Sequence, residues 1–135
     1  MKKIVVEKIK KHLTGTGWRI EKIKKLDFWA SRDHAPAFCV VHAGCTLIFF
    51  HDMLLNEAWK DGKGQFFDLL NRLNNGFSHG VRGIQIHGEH ADLLHVSAVW
   101  HNYYHAKEFE QFVDQFVASV LDVYGNEELV KHLRV

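Results

Sequence analysis

The tightest constraint on the fold is a short connection. The apolar runs Phe38-Cys39-Val40-Val41-His42 and Thr46-Leu47-Ile48-Phe49-Phe50 flank Ala43-Gly44, and strands joined by so short a turn form an antiparallel hairpin. A turn centred on Ala43-Gly44 sets Cys45 against His42 and Cys39 against Ile48, so the two thiols are out of register for a disulfide. Neither run alternates apolar with polar residues, which predicts strands buried on both faces.

The segments on either side extend this pattern. Residues 2–13 read as an amphipathic helix, with Val5, Val6, Ile9 and Leu13 on one face and lysines on the other, stopped by Thr14-Gly15-Thr16-Gly17. From Trp18 to Ala30 the apolar positions shift toward alternation, but Lys22 and Lys24 interrupt it. One long edge strand with a bulge or twist is therefore expected. Pro36 marks the turn into the hairpin. Asp52 is positioned to cap a short helix over Met53 to Trp59, followed by the loop Asp61-Gly62-Lys63-Gly64.

A second helix is predicted over residues 65–74, with Phe66, Leu69, Leu70 and Leu73 on one stripe and Asn75-Gly76 as its stop. Ile84 and Ile86, then Leu94, Val96, Ala98 and Trp100, give a second hairpin. The last helix carries the longest stripe: Phe109, Val113, Phe116, Val117, Val120, Leu121 and Tyr124, closed by Gly125. A short tail helix over 126–133 follows it. The expected order is α-β-β-β-α-β-β-α, an α+β fold in which helices pack on an antiparallel five-stranded sheet. Residues 1–135 form one domain in this reading, since 135 residues of which 47% are hydrophobic supply a core without metal or disulfide staples.

The order and the second half of the sequence resemble the YbjN family and the related fold of type III secretion chaperones. The likeness rests on Phe67-Asp68-Leu69-Leu70-Asn71-Arg72-Leu73-Asn74 as the central helix and on the two strands after it. It rests also on Glu108-Phe109-Glu110-Gln111-Phe112, which opens a last helix ending at Val123-Tyr124. The resemblance implies a bacterial protein that binds another protein, an effector, toxin or regulator, as a homodimer.

Chemistry is sparse. The eleven histidines include His87-Gly88-Glu89-His90 with His95 beyond, the right donor types for zinc, nickel or copper. A His-based metal-dependent enzyme centred on His87, His90 and His95 is the alternative this stretch raises. The glycine at a strand end is unlike the helical spacing of zincins, so the histidines are expected to be surface and interface residues with no metal. Ser31, Ser78, Ser97 and Ser119 lack a nucleophile-elbow setting, and Cys39 and Cys45 lack Cys-x-x-Cys spacing and are read as reduced core thiols. The glycine pairs Gly15/Gly17 and Gly62/Gly64 do not form a phosphate loop. No catalytic residue and no cofactor is expected.

Charge is uneven along the chain. Residues 1–25 carry nine bases and two acids, a net of +7, while the remainder carries eight bases and fourteen acids, a net of −6. A basic face beside Trp18 and Trp29 raises nucleic acid as a partner, but few arginines and an overall charge of +1 argue against it. A small immunity protein that neutralises a toxin through a charged surface is a further alternative. No apolar run approaches the ~18 residues that cross a bilayer, and no secretory signal is evident, so a cytoplasmic protein is expected. Trp59, in a polar loop, and Trp100, Tyr103 and Tyr104 are the aromatic residues least explained by the core and the expected protein-interface anchors.

Overall fold

A computed structural model describes residues 3–76, 84–87, 92–101 and 103–134. Helix α1 spans Lys3–Gly15 and is followed by strands β1 (Arg19–Lys22), β2 (Phe28–Ser31), β3 (Phe38–Ala43) and β4 (Thr46–Leu54). A 3₁₀ helix over Glu57–Gly62 leads into α2 (Lys63–Gly76). Strands β5 (Ile84–His87) and β6 (Leu93–His101) precede α3 (Ala106–Tyr124) and the single turn α4 (Glu127–Val130). The strands form one antiparallel sheet in the order β1-β2-β3-β4-β6-β5.

The α+β class, the antiparallel sheet and the order of elements are as expected. One adjustment concerns the edge: the expected long strand is folded back on itself as β1 and β2, which gives the sheet six strands. Backbone N–H groups of Ile23 and Lys24 both donate to the Asp27 carbonyl, closing a turn where Lys22 and Lys24 break the apolar parity. A bulge absorbs one residue, whereas five residues between the paired ends make a hairpin.

The central hairpin also turns one residue later than expected. Ala43 pairs with Thr46, so the turn residues are Gly44, at φ +61°, and Cys45. A positive φ at the first turn position only is the type II′ pattern, which glycine accommodates without a Cβ clash. Cys39 consequently faces Phe50 rather than Ile48. Cys39 is buried and Cys45 exposed, which corrects the reading of both as core thiols.

Strand β4 continues to Leu54 instead of giving way to a helix at Asp52. Its whole length is paired with β6, from Thr46 opposite His101 to Leu54 opposite Leu93, and that ladder outweighs a local capping preference. The 3₁₀ helix begins at Glu57, where the Asn56 side chain accepts from the Ala58 N–H at 2.9 Å.

The helices share one core on one side of the sheet. Val6, Ile9 and Leu13 of α1, Phe66, Leu69 and Leu70 of α2, and Phe109, Val113, Phe116, Val120 and Val123 of α3 form a single buried cluster. From the sheet, Phe28, Phe38, Val40, Leu47, Phe49, Leu94, Val96 and Trp100 join it. Phe38 and Phe49 lie 5.4 Å apart and both meet Phe116 edge-on, as aromatic quadrupoles favour. Leu121 and Tyr124, expected on the inner stripe of α3, are exposed; Val123 takes the last core position because a helix advances 100° per residue.

Candidate protein-binding face

Side chains alternate across a strand, so covering one side of the sheet leaves the residues of opposite parity on the other. On that open side Trp29, Cys39, Phe50 and Ser97 stand opposite one another across β2, β3, β4 and β6. The neighbouring row is Val41, Ile48 and Val99. Trp29 is 42% exposed and Val99 51%, while Phe50 and Ile48 are half-buried. Among the described residues no helix packs on this face. The non-alternating runs thus mark strands with apolar residues on both faces, one of which is open.

The aromatic side chains are held in place. The Trp29 and Phe50 rings meet edge-on at 6.4 Å, and the Phe50 ring lies 4.8 Å from that of His95. His95 in turn donates from Nδ1 to Asp52 Oδ1 at 2.6 Å, the carboxylate being an acceptor only. Cys39 lies in the same row as Trp29 and Phe50, and burial, with the charges of Asp27 and Asp52 adding to it, pushes its thiol up to about 11. A thiol so disposed stays protonated at neutral pH and is a poor nucleophile.

The expected anchors are distributed differently. Trp59 (7% exposed) and Trp100 (6%) belong to the core, because Trp59 packs on Phe66 at 5.6 Å and Trp100 stacks on Tyr103 and meets Phe109. The Trp100 indole N–H donates to the Tyr103 carbonyl at 2.9 Å. Tyr103 is exposed, with its hydroxyl donating to Glu108 at 2.8 Å, a bond that raises the phenol pKa. Tyr104 is half-buried and bonded to His12. The four therefore do not assemble into one exposed patch.

The candidate metal residues are likewise separated in role. His95 is held by Asp52, His87 lies in β5 opposite Leu93, and His90 lies outside the described residues. Among the described residues, no three His, Cys, Asp or Glu groups come together as a metal site would need. A shallow groove of about 1030 Å³ between α2 and α4 is lined by Asp61, Asp68, Arg72, Glu128, Lys131 and His132 over a floor of Phe66 and Leu69. Its charges are mixed, and Arg72 and Glu128 pair with each other at 3.2 Å. A smaller hollow of about 480 Å³ lies on the β1–β2 hairpin beside Trp29 and Ser31.

No family model matches the sequence, and neither does any curated protein. Among solved structures, YbjN from E. coli aligns with a TM-score of 0.75 over 96% of each chain at 13% identity. The chain has a YbjN-like fold. A second structure of similar form, an uncharacterized protein from Methanothermobacter thermautotrophicus, aligns with a TM-score of 0.64 over 86% of this chain and 91% of that one, at 12% identity. Likeness at such identity concerns the YbjN-like backbone arrangement, and the open face described above belongs to the residues of this chain. Among the described residues no helix is long and apolar enough to cross a membrane.

Proposed function

We propose that the chain is a non-enzymatic protein-binding protein of the cytoplasm that acts through an apolar and aromatic surface, the open face of its sheet, and that a second copy of the chain covers this face. The observation that carries the reading is the row Trp29, Cys39, Phe50 beside Val41, Ile48, Val99, in which Trp29 and Val99 are exposed and Val41, Ile48 and Phe50 half-buried, on a side where no described helix packs. Exposed apolar area of this extent is removed from water by association.

The dimensions support a second copy. Strands of four to nine residues, spaced by about 4.8 Å and rising about 3.3 Å per residue, give a face of roughly 570 Å², approaching the ~800 Å² that each partner buries in a standard interface. Two such sheets would pack face to face at about 10 Å with their side chains interleaved. Trp29 and Phe50 supply aromatic anchors, and Asp52 already accepts a hydrogen bond from His95, which lowers the desolvation cost of covering it.

Light scattering at micromolar concentration tests the reading. The expected result is a dimer that Phe50→Ser and Val99→Asp each convert to monomer while the circular dichroism spectrum stays native. A monomeric wild-type chain, or a dimer indifferent to both substitutions, would overturn it.

A further inference from the structure

We infer that the β1–β2 hairpin and the adjoining flank of α1 form a basic docking surface for an acidic, apolar-containing segment of a protein partner. The inference rests on the protein-binding reading but not on the dimer. It concerns the nine bases of the N-terminal segment, which the sequence left without a role.

The described lysines Lys8, Lys10, Lys11, Lys22, Lys24 and Lys25 lie toward one corner of the fold. Lys10 Nζ lies 5.5 Å above the Phe28 ring, and Phe28 is paired with Lys22. This contact brings α1 to the end of the hairpin whose turn carries Lys24 and Lys25. Lys11 follows Lys10, and Lys8 sits one helical turn before Lys11 on the exposed flank. None of Lys8, Lys11, Lys22, Lys24 and Lys25 is ion-paired with a carboxylate among the described residues.

Nearby acids do not cancel these lysines. Glu7 pairs with Lys10 and Asp33 with Arg19, while Asp27 accepts from the His42 backbone N–H at 2.9 Å. With Glu21 these leave three local carboxylates, Glu7, Glu21 and Asp27, against the six lysines Lys8, Lys10, Lys11, Lys22, Lys24 and Lys25, so the corner keeps a net positive field that attracts and orients an anionic partner.

Apolar surface is interleaved with this charge. Ile23, 43% exposed, stands between Lys22 and Lys24, and the hollow beside Trp29 lies on the same hairpin. A segment that sets carboxylates on the turn lysines can therefore lay an apolar side chain over Ile23, at the hairpin end and outside the row that a second copy would cover. Nucleic acid fits less well: the two arginines nearby are occupied, Arg19 by Asp33 and Arg32 by the Trp18 ring and the Thr16 carbonyl. That leaves the corner no free guanidinium for bidentate phosphate contact.

The test is fluorescence anisotropy with three probes: a short labelled peptide of glutamates around Leu and Phe, the same apolar core flanked by lysines, and a single-stranded oligonucleotide. The glutamate peptide is expected to bind, the lysine peptide not. The combined variant Lys22→Glu, Lys24→Glu, Lys25→Glu should bind the glutamate peptide about tenfold more weakly, as the loss of several exposed charge contacts implies. Raising the salt from about 0.05 to about 0.5 M should erase most of that difference. The corresponding Lys→Gln variant, expected to lie between, guards against misfolding of the reversed chain.

Equal binding of both peptides, or affinity unmoved by the lysine substitutions, would overturn the proposal. Oligonucleotide binding that displaces the glutamate peptide would overturn it in favour of a nucleic-acid surface. Phe50→Ser separates the two readings. If the wild-type chain is monomeric yet binds the peptide through its lysines, the dimer fails and this surface stands; if it dimerises without binding the peptide, the reverse holds.

Discussion

His12 near the end of α1 and Tyr104 just before α3 are joined side chain to side chain at 2.8 Å, across 92 positions of sequence. The other ring nitrogen of His12 meets the Glu110 carboxylate. Since a carboxylate only accepts, Nε2 carries a proton, and in the neutral ring Nδ1 then accepts from the tyrosine hydroxyl. The His12 ring also stands edge-on to Tyr104 and Phe109, so this polar tie closes the rim of the core where α1 and α3 meet.

Tyr104→Phe removes one hydrogen bond and keeps the ring, so it should cost about 1 kcal/mol in urea unfolding. His12→Ala removes both bonds and opens space beside Phe109, and should cost about 2 to 4 kcal/mol. Neither should change the oligomeric state. A dissociated dimer in Tyr104→Phe with unchanged stability would move Tyr104 from the fold to the interface.

Phe116 is 1% exposed and touches Phe38 and Phe49 from α3. Phe116→Ala should lower unfolding free energy by about 3 to 5 kcal/mol. Less than about 1 kcal/mol in denaturant unfolding would show that α3 is not seated on the sheet as described.

How far the sequence anticipates this arrangement depends on how local each signal is. Phe109, Val113, Phe116 and Val120 recur within one helix, and the 38–50 hairpin is set by a short turn, so both were legible. The cap at Asp52 failed because the competing ladder comes from Leu93–His101, which lies beyond α2 in the chain. Trp59 lies in a polar stretch of sequence but packs on Phe66 in space, whereas Trp100 shares the parity of Leu94, Val96 and Ala98, which already marked the core side of its strand. The open face could have been found from Phe28-Trp29-Ala30, whose parity sends Trp29 away from Phe28. Alternation shows that two faces exist, but the side on which the helices pack is decided by tertiary contacts.

The two thiols should separate chemically. Cys45 is exposed in its turn, whereas Cys39 is buried with its thiol held up at about 11. A thiol reagent at pH 8 should label one cysteine in the native chain and both after unfolding, and Cys45→Ser should abolish native labelling. The native state holds the Cys39 proton more tightly than the unfolded chain, whose thiol titrates near 9.0. The stability it contributes is therefore complete below pH 9 and lost as pH rises toward about 11. Unfolding midpoints of wild type and Cys39→Ala should converge over that window. Persistent difference at pH 11 would mean that the thiol's stabilising effect is packing alone.

Trp29 offers a direct reading of the open face, because it is 42% exposed while Trp18, Trp59 and Trp100 are each below 8%. Iodide reaches only exposed indoles, so at concentrations low enough to dissociate a dimer, quenching should come mainly from Trp29 and vanish in Trp29→Phe. Raising the concentration should protect Trp29 if a second copy covers the row it shares with Cys39 and Phe50. Phe50→Ser should then keep Trp29 quenchable at all concentrations, since losing the neighbouring anchor prevents association without uncovering the buried indoles. Quenching independent of concentration in a chain that light scattering shows to be dimeric would place the interface away from this face and leave the open row to another protein.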